Sequence, residues 1–314
     1  MNHSLDINAL LDPEIAQALR ALPLNFATLS RSTLPEVRAA RAAVSPPTLS
    51  DLVTRVDYAV PDRPPLRVRV HRAKAASGKL PCIYWMHGGG LVLGSNVDDD
   101  LRFDRWCTHM NCVGVSVDYA LAPESTYPAP LEDCYAGLRW VHQQADVLGI
   151  DPTRIGIGGA SAGAGLAAAL ALLARDRAEF PMMFQALIYP MLDDRQHTIS
   201  SQWQDPVWPP AANRFGWDCY LGDLRGDAVP QYAAAARAIN LERLPPAFIC
   251  VGALDGFADE DIDYATRLRH AGVPTELHVY AGAPHGFDAL TPNTAVARRA
   301  RSDLKAWLVT QLHE

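Results

Sequence analysis

Gly159-Ala160-Ser161-Ala162-Gly163 is a G-x-S-x-G pentapeptide set between two different periodicities. Upstream, Arg154-Ile155-Gly156-Ile157-Gly158 reads as a short buried strand, and downstream Gly165 to Arg175 is rich in Ala and Leu and reads as a helix. Strand, small residues, serine, small residues, helix is the order a nucleophile elbow needs. The chain turns so sharply at the serine that only small neighbours fit, and Oγ is pushed out above the sheet. The helix that follows turns its free N–H groups toward any anion forming there. The pentapeptide recurs by chance, so its meaning depends on whether a base, an orienting acid and an oxyanion hole accompany it.

In sheets of this kind the working groups sit in loops beyond the carboxyl ends of strands, and that rule sorts the ten histidines. His278 lies inside the alternating strand Thr275–Tyr280, His142 and His270 fall on helix patterns, and His3 and His313 are near the termini. His285 stands in Gly282-Ala283-Pro284-His285-Gly286-Phe287, just past the last strand, and is the expected base. Phe248-Ile249-Cys250-Val251 reads as a strand followed by Gly252-Ala253-Leu254-Asp255-Gly256, so Asp255 is the expected orienting acid. Asp259, Glu260 and Asp261 come where a helix starts and read as N-cap and first-turn charges opposing the helix dipole.

His87-Gly88-Gly89-Gly90 follows the apolar run Pro81–Met86. Such a loop is a flexible turn, a phosphate cradle or an oxyanion hole. A phosphate loop needs G-x-x-x-x-G-K-[ST], and no such string follows. The oxyanion reading brings bare backbone N–H groups of this loop to a substrate carbonyl, with the N–H of Ala162 as a further donor; one such donor is worth roughly 3 to 4 kcal/mol in the barrier. His87 itself reads as an anchor of the loop.

Around these motifs the chain divides unequally. Residues 1–45 suggest helices: Asp12-Pro13 is an N-cap with Pro at the first helical position, Ile15, Leu19 and Leu22 share a face, and Ser45-Pro46-Pro47 ends the segment. From about Leu49 strands and helices alternate: Leu66–Val70, Pro81–Met86, Val113–Val117, a helix over Leu131–Val147, then Phe184–Tyr189, Ala247–Val251, a helix over Ile262–His270, Thr275–Tyr280 and a helix over Ala295–Leu312. This predicts an α/β fold, a mostly parallel sheet covered on both faces. Residues 193–232 break the alternation and hold Trp203, Trp208 and Trp217, three of the seven tryptophans, with Phe215 and Tyr220. They are either a helical excursion filling its own small core or a lid lining an apolar pocket. The lid reading gives a cap from residues 1–45 and 193–232 over a catalytic domain of residues 46–192 and 233–314, with Gly90, Trp208, Phe215 and Phe257 lining the pocket.

The 314 residues suit one large α/β domain with an appendage. The net charge of -7 gives no sign of a nucleic-acid or anionic-membrane partner. Asp6, Asp12 and Glu14 precede any apolar run, which argues against a secretory signal. Six scattered cysteines with no C-x-x-C pair read as buried free thiols, so a cytoplasmic location is expected.

Together these residues resemble the hormone-sensitive-lipase-like branch of the α/β-hydrolases, the bacterial carboxylesterases with an HGGG motif. The resemblance spans nearly the whole chain. It includes Leu121-Ala122-Pro123-Glu124, Tyr127-Pro128-Ala129-Pro130-Leu131-Glu132-Asp133, Tyr189-Pro190-Met191-Leu192-Asp193 and Tyr280-Ala281-Gly282-Ala283-Pro284-His285-Gly286-Phe287. It implies an α/β-hydrolase fold with a helical cap, a Ser161–Asp255–His285 triad in the usual chain order, and oxyanion donors at Gly88, Gly89 and Ala162, with Gly90 able to replace one glycine. Three positions depart from the family pattern. Tyr119-Ala120 stands where Tyr-Arg is common, Gly256-Phe257 where Pro-Leu is common, and Ala160 where Asp or Thr is frequent. The implied activity is hydrolysis of short to medium acyl esters by two-step acyl transfer, with no cofactor or metal and with a homodimer common in the family. Amide or lactone hydrolysis on the same triad is the enzymatic alternative, and a small-ligand receptor the non-enzymatic one.

Overall fold

The computed structural model describes residues 6–22, 26–44 and 46–313; His3 and Ser45 of the reading above lie outside them. Eight strands form a single sheet: β1 Val53–Ala59, β2 Arg67–Ala73, β3 Leu80–Met86, β4 Val113–Asp118, β5 Ile150–Ala160, β6 Gln185–Ile188, β7 Ala247–Gly252 and β8 Thr275–Tyr280. Their order is β1-β2-β4-β3-β5-β6-β7-β8. The β1–β2 and β2–β4 pairs are antiparallel, and every pair from β4 to β8 is parallel.

Side chains of β3 alternate between two buried clusters, Cys82, Tyr84 and Met86 facing one and Ile83 and Trp85 the other. This is why the strand reads as a continuous apolar run: both faces are covered. The first face carries helices α5 (Ala129–Gln143), α7 (Ala162–Arg177) and α9 (Ala258–His270), and the second α4 (Asp100–His109) and α11 (Ala295–His313). Every residue of α7 from Ala162 to Ala174 is buried, so its Ala-rich composition serves close packing against β3, β5, β6 and α5. The helix expected over Leu131–Val147 ends at Gln143; a new short turn, α6 (Ala145–Leu148), follows and stops at Gly149, whose φ of +66° reverses the chain.

Three N-terminal helices precede the sheet: α1 Ile7–Leu10, α2 Pro13–Arg20 and α3 Leu34–Ala42. Asp12 caps α2 as read, Oδ1 accepting from Glu14 N and Ile15 N, and Asp12 N donates to Gly282 O. Glu14 Oε2 accepts from Ala295 N at the start of α11. Arg38 of α3 pairs with Glu124 and donates to Val92 O and Ala122 O. The N-terminal helices are thus tied to the loops at the carboxyl end of the sheet. Residues 193–246 hold α8 (Pro210–Leu221) and short turns; α10 (Phe287–Leu290) follows β8.

The first turn of α9 corrects the sequence reading. Asp259 lies there and accepts from Ser200 N, but Glu260 and Asp261 are buried and do not serve as exposed dipole charges. Glu260 Oε1 accepts from Leu192 N and Asp193 N. Neither oxygen of Asp261 has a partner among the described residues. Burial, then Glu260 and Asp255, holds the Asp261 carboxyl well above the usual carboxylate range. The unfolded chain ionises this group above about pH 4 while the folded chain keeps it neutral, so its presence lowers stability progressively as pH rises. Asp261→Asn, neutral in both states, should raise Tm at pH 8 by at least a few degrees and by nothing near pH 3. Thermal melts at the two pH values check this; an equal shift at both would show that the effect is not ionisation.

Candidate active site

Five adjacent strands, in the order β3-β5-β6-β7-β8, deliver loops to one end of the sheet. The loop after β3 carries His87–Gly90, that after β5 Ser161, that after β6 Tyr189, that after β7 Asp255 and that after β8 His285. All five loops leave carboxyl ends of parallel strands, the position where open α/β sheets assemble ligand sites.

Ser161 has φ +58° and ψ -122°, a region costly for a side-chain-bearing residue, on the order of 1–3 kcal/mol. The surroundings hold it there. A Cβ on Gly163 would fall 2.1 Å from Met86 O, and one on Gly159 2.4 Å from the Gly163 backbone, so the small residues are demanded by close approach. Ser161 N donates to Ile188 O, and Ser161 O accepts from Gly165 N and Met191 N. His285 Nε2 lies 2.8 Å from Ser161 Oγ, and His285 Nδ1 lies 2.8 Å from Asp255 Oδ2. Asp255 Oδ1 accepts from Phe257 N at 2.9 Å. Ser161, His285 and Asp255 are 7%, 5% and 1% exposed, so this line of hydrogen bonds lies out of bulk water. Burial opposes a charged imidazole, but Asp255, then Asp205 and Asp288, outweigh it and raise the His285 pKa above its ordinary value.

The glycine loop adopts a conformation few other residues could. Gly89 has φ +129°, and a Cβ there would fall 2.1 Å from Leu93 O. Gly89 O accepts from Val92 N and Leu93 N, which pins the Gly89–Gly90 peptide. Among the described residues, the N–H groups of Gly88, Gly89, Gly90 and Ala162 donate to nothing. Free N–H groups beside a serine oxygen are an anion-binding arrangement. The His87 ring stacks on Tyr119 at 4.2 Å, its Nδ1 lies 2.9 Å from Gly88 O, and burial lowers its pKa. It anchors the loop as a neutral ring.

Of the residues read as pocket-lining, Trp208 lies directly on Gly90, where an added Cβ would come within 2.2 Å of the indole. Phe257 presents its ring to His285 at 4.9 Å, near-perpendicular. Phe215, on α8, is half-buried at the margin of the larger core; its neighbour Gly216 touches the glycine loop, with an added Cβ 2.5 Å from Gly90 O. A narrow space is lined by Ser201, Trp203, Trp208, Pro210, Asn213 and Phe257. Another hollow, by Arg175, Glu179, Phe180, Met182 and Arg243, opens at the far end of α7, away from these residues.

Two groups escaped the sequence reading. Tyr189, quoted there only within a motif, sets its ring 4.9 Å from His285 and donates to Asp288 Oδ1 at 2.7 Å. Asp205 accepts from His285 N at 2.8 Å. Its signal was the run Asp205-Pro206-Val207-Trp208, since an Asp before Pro commonly closes a turn onto the N–H groups that follow. At Ala120, which has no guanidinium, the backbone N donates to Asp133 Oδ2, and Arg63 from the β1–β2 connection pairs with the same carboxylate.

Residues 83–289 match the alpha/beta hydrolase fold family. The chain belongs to that family, on its hormone-sensitive-lipase-like branch. Carboxylesterase NlhH of Mycobacterium tuberculosis (strain ATCC 25618 / H37Rv) is 31% identical over 286 residues, 88% of each chain. Arylacetamide deacetylase of Mus musculus is 37% identical across 85% of this chain and 82% of its own. Among solved structures, a bacterial heroin esterase superposes with a TM-score of 0.89 at 37% identity, covering 98% of this chain and 99% of that one. No helix among the described residues is long and apolar enough to cross a membrane.

Proposed function

We propose that this chain is a serine carboxylesterase in which Ser161 is the nucleophile, His285 the general acid–base and Asp255 its orienting acid. The observation that carries the reading is the continuous hydrogen-bonded line Asp255–His285–Ser161, with 2.8 Å at each step, beside four N–H groups that donate to nothing among the described residues. His285 Nε2 takes the Ser161 proton as Oγ attacks the ester carbonyl. The tetrahedral oxyanion is received by N–H groups of Gly88, Gly89 and Ala162. Asp255 fixes the imidazole tautomer and steadies its charged form; His285 then protonates the leaving alcohol, and water repeats the sequence to free the acid. The names of two related proteins, a carboxylesterase and a heroin esterase, support a small-molecule ester as the substrate class.

In this reading the N-terminal helices and residues 193–232 form the cap, and Trp208, Phe215, Phe257 and Gly90 bound the substrate. Trp208 packed on Gly90, and Phe257 on His285, leave little length for an acyl chain, so the preference is for short to medium chains. Comparing p-nitrophenyl acetate, butyrate and octanoate tests it. The expected kcat/KM on octanoate is at least about 10-fold below that on butyrate, and Trp208→Ala narrows the gap, since each CH2 accommodated is worth about 0.8 kcal/mol. A rate that climbs through octanoate in the unmodified enzyme sinks the short-chain reading. The deacetylase's name favours one second reading, amide hydrolysis on the same triad, and p-nitroacetanilide turnover tests it. A cytoplasmic location, consistent with six free buried cysteines, and a homodimer along the β8 edge, where Leu277 and Val279 are exposed, belong to the same proposal.

A further inference from the structure

Asp205 stands in the segment between β6 and β7, and both of its oxygens are engaged. Oδ1 accepts from Val207 N at 2.7 Å and Trp208 N at 2.9 Å, which fixes the tryptophan that covers Gly90. Oδ2 accepts from the backbone N of His285 at 2.8 Å, across 80 residues of sequence. The residue is 3% exposed, and among the described residues it pairs with no cation within salt-bridge distance. Its charged neighbours are Asp255, a like charge, and the His285 ring. A carboxylate buried beside another carboxylate is unfavourable unless its hydrogen bonds hold it, and here three N–H groups do.

We propose that Asp205 is a positioning residue: one carboxylate clasps the wall over the site to the loop that bears the base, and directs a second negative charge at the His285 imidazole. The inference rests on the triad reading above. The groups facing that imidazole are Asp255 from the loop after β7, Asp205 from the β6–β7 segment and Asp288 from α10, with the rings of Tyr189 and Phe257 against it; Arg102 of α4 stands beyond Tyr189 and Asp288. Burial and then Asp255 raise the Asp205 carboxyl above the usual carboxylate range, while the His285 charge and the bonds from His285 N and Trp208 N pull it back down.

The test is kcat and KM against pH for p-nitrophenyl butyrate. In the unmodified protein the acid limb of kcat/KM reports protonation of His285 and is the reference for the variants. Asp205→Asn keeps the shape and loses the charge and one acceptor. Its kcat should fall about 10- to 100-fold through misplacement of the base, its KM should rise, and its acid limb should move to lower pH by about half a unit to one unit. Asp205→Glu keeps the charge, so its acid limb should stay near that of the parent although kcat remains reduced. An Asp205→Asn variant with unchanged kcat and acid limb, whatever its Tm, reduces Asp205 to packing and overturns the proposal. Ser161→Ala assayed alongside separates the two readings: if it keeps wild-type rates the triad assignment fails, whereas an inactive Ser161→Ala beside a normal Asp205→Asn sinks the clasp alone.

Discussion

Ser161→Ala should lower kcat on p-nitrophenyl butyrate by about 10⁵- to 10⁶-fold while leaving the thermal transition unchanged or slightly raised. The geometry sets this expectation. Ser161 Oγ is the atom His285 Nε2 addresses at 2.8 Å, and the backbone there is held at φ +58° by its neighbours rather than by the hydroxyl. Removing the hydroxyl deletes the bond-forming atom, and the fold gives up one hydrogen bond in a strained turn. What survives is whatever the N–H groups of the glycine loop and Ala162 contribute to hydrolysis by water. Steady-state rates with a melting curve check the pair of outcomes; residual activity above about one per cent would remove Ser161 from the mechanism.

Asp255→Asn is expected to cost about 10⁴-fold in kcat, nearly as much, from a change of one atom. Phe257 N still donates to Oδ1, so the side chain keeps its place. The atom now facing His285 Nδ1 either donates or, after a flip, leaves the Phe257 N–H without an acceptor. With a donor opposite Nδ1, the imidazole takes the tautomer with its proton on Nε2, where it can no longer accept from Ser161. Loss of the Asp255 charge also removes the foremost influence raising the His285 pKa against burial, so the acid limb of kcat/KM shifts to lower pH. A pH–rate profile for Asp255→Asn measures both; an unchanged acid limb with full kcat would show that another group orients the base.

The parts of this site that could be read in the sequence were those whose position follows from local rules. Each of Ser161, Asp255, His285 and His87–Gly90 stands at or one short loop beyond a strand that its pattern reveals, a continuous apolar run for β3 and β7 and alternation for β8. The strands and helices that escaped were those whose sequence carries no clean period. In β1, Val53 is the only buried residue, and α4 carries charged residues between Phe103, Trp106 and Cys107; neither shows a clean period. The carboxylates were misjudged for a different reason. Glu260 meets Leu192 and Asp193 from 68 and 67 residues away, and Asp205 meets His285 across 80. Whether an acid is a surface charge or a buried acceptor depends on what the tertiary fold places opposite it, and no local pattern carries that information. Tyr189 is intermediate: its motif was visible, but its contact with His285 comes from the packing of β6 beside β7 and β8.

The identity of the nucleophile is tested most directly by covalent trapping. Diethyl p-nitrophenyl phosphate should release one equivalent of p-nitrophenol per chain, abolish ester hydrolysis in proportion, and leave its diethylphosphoryl group on Ser161 within the tryptic peptide Ile155–Arg175. Hydrolysis that persists after stoichiometric labelling, or an adduct on any residue other than Ser161, would contradict the account.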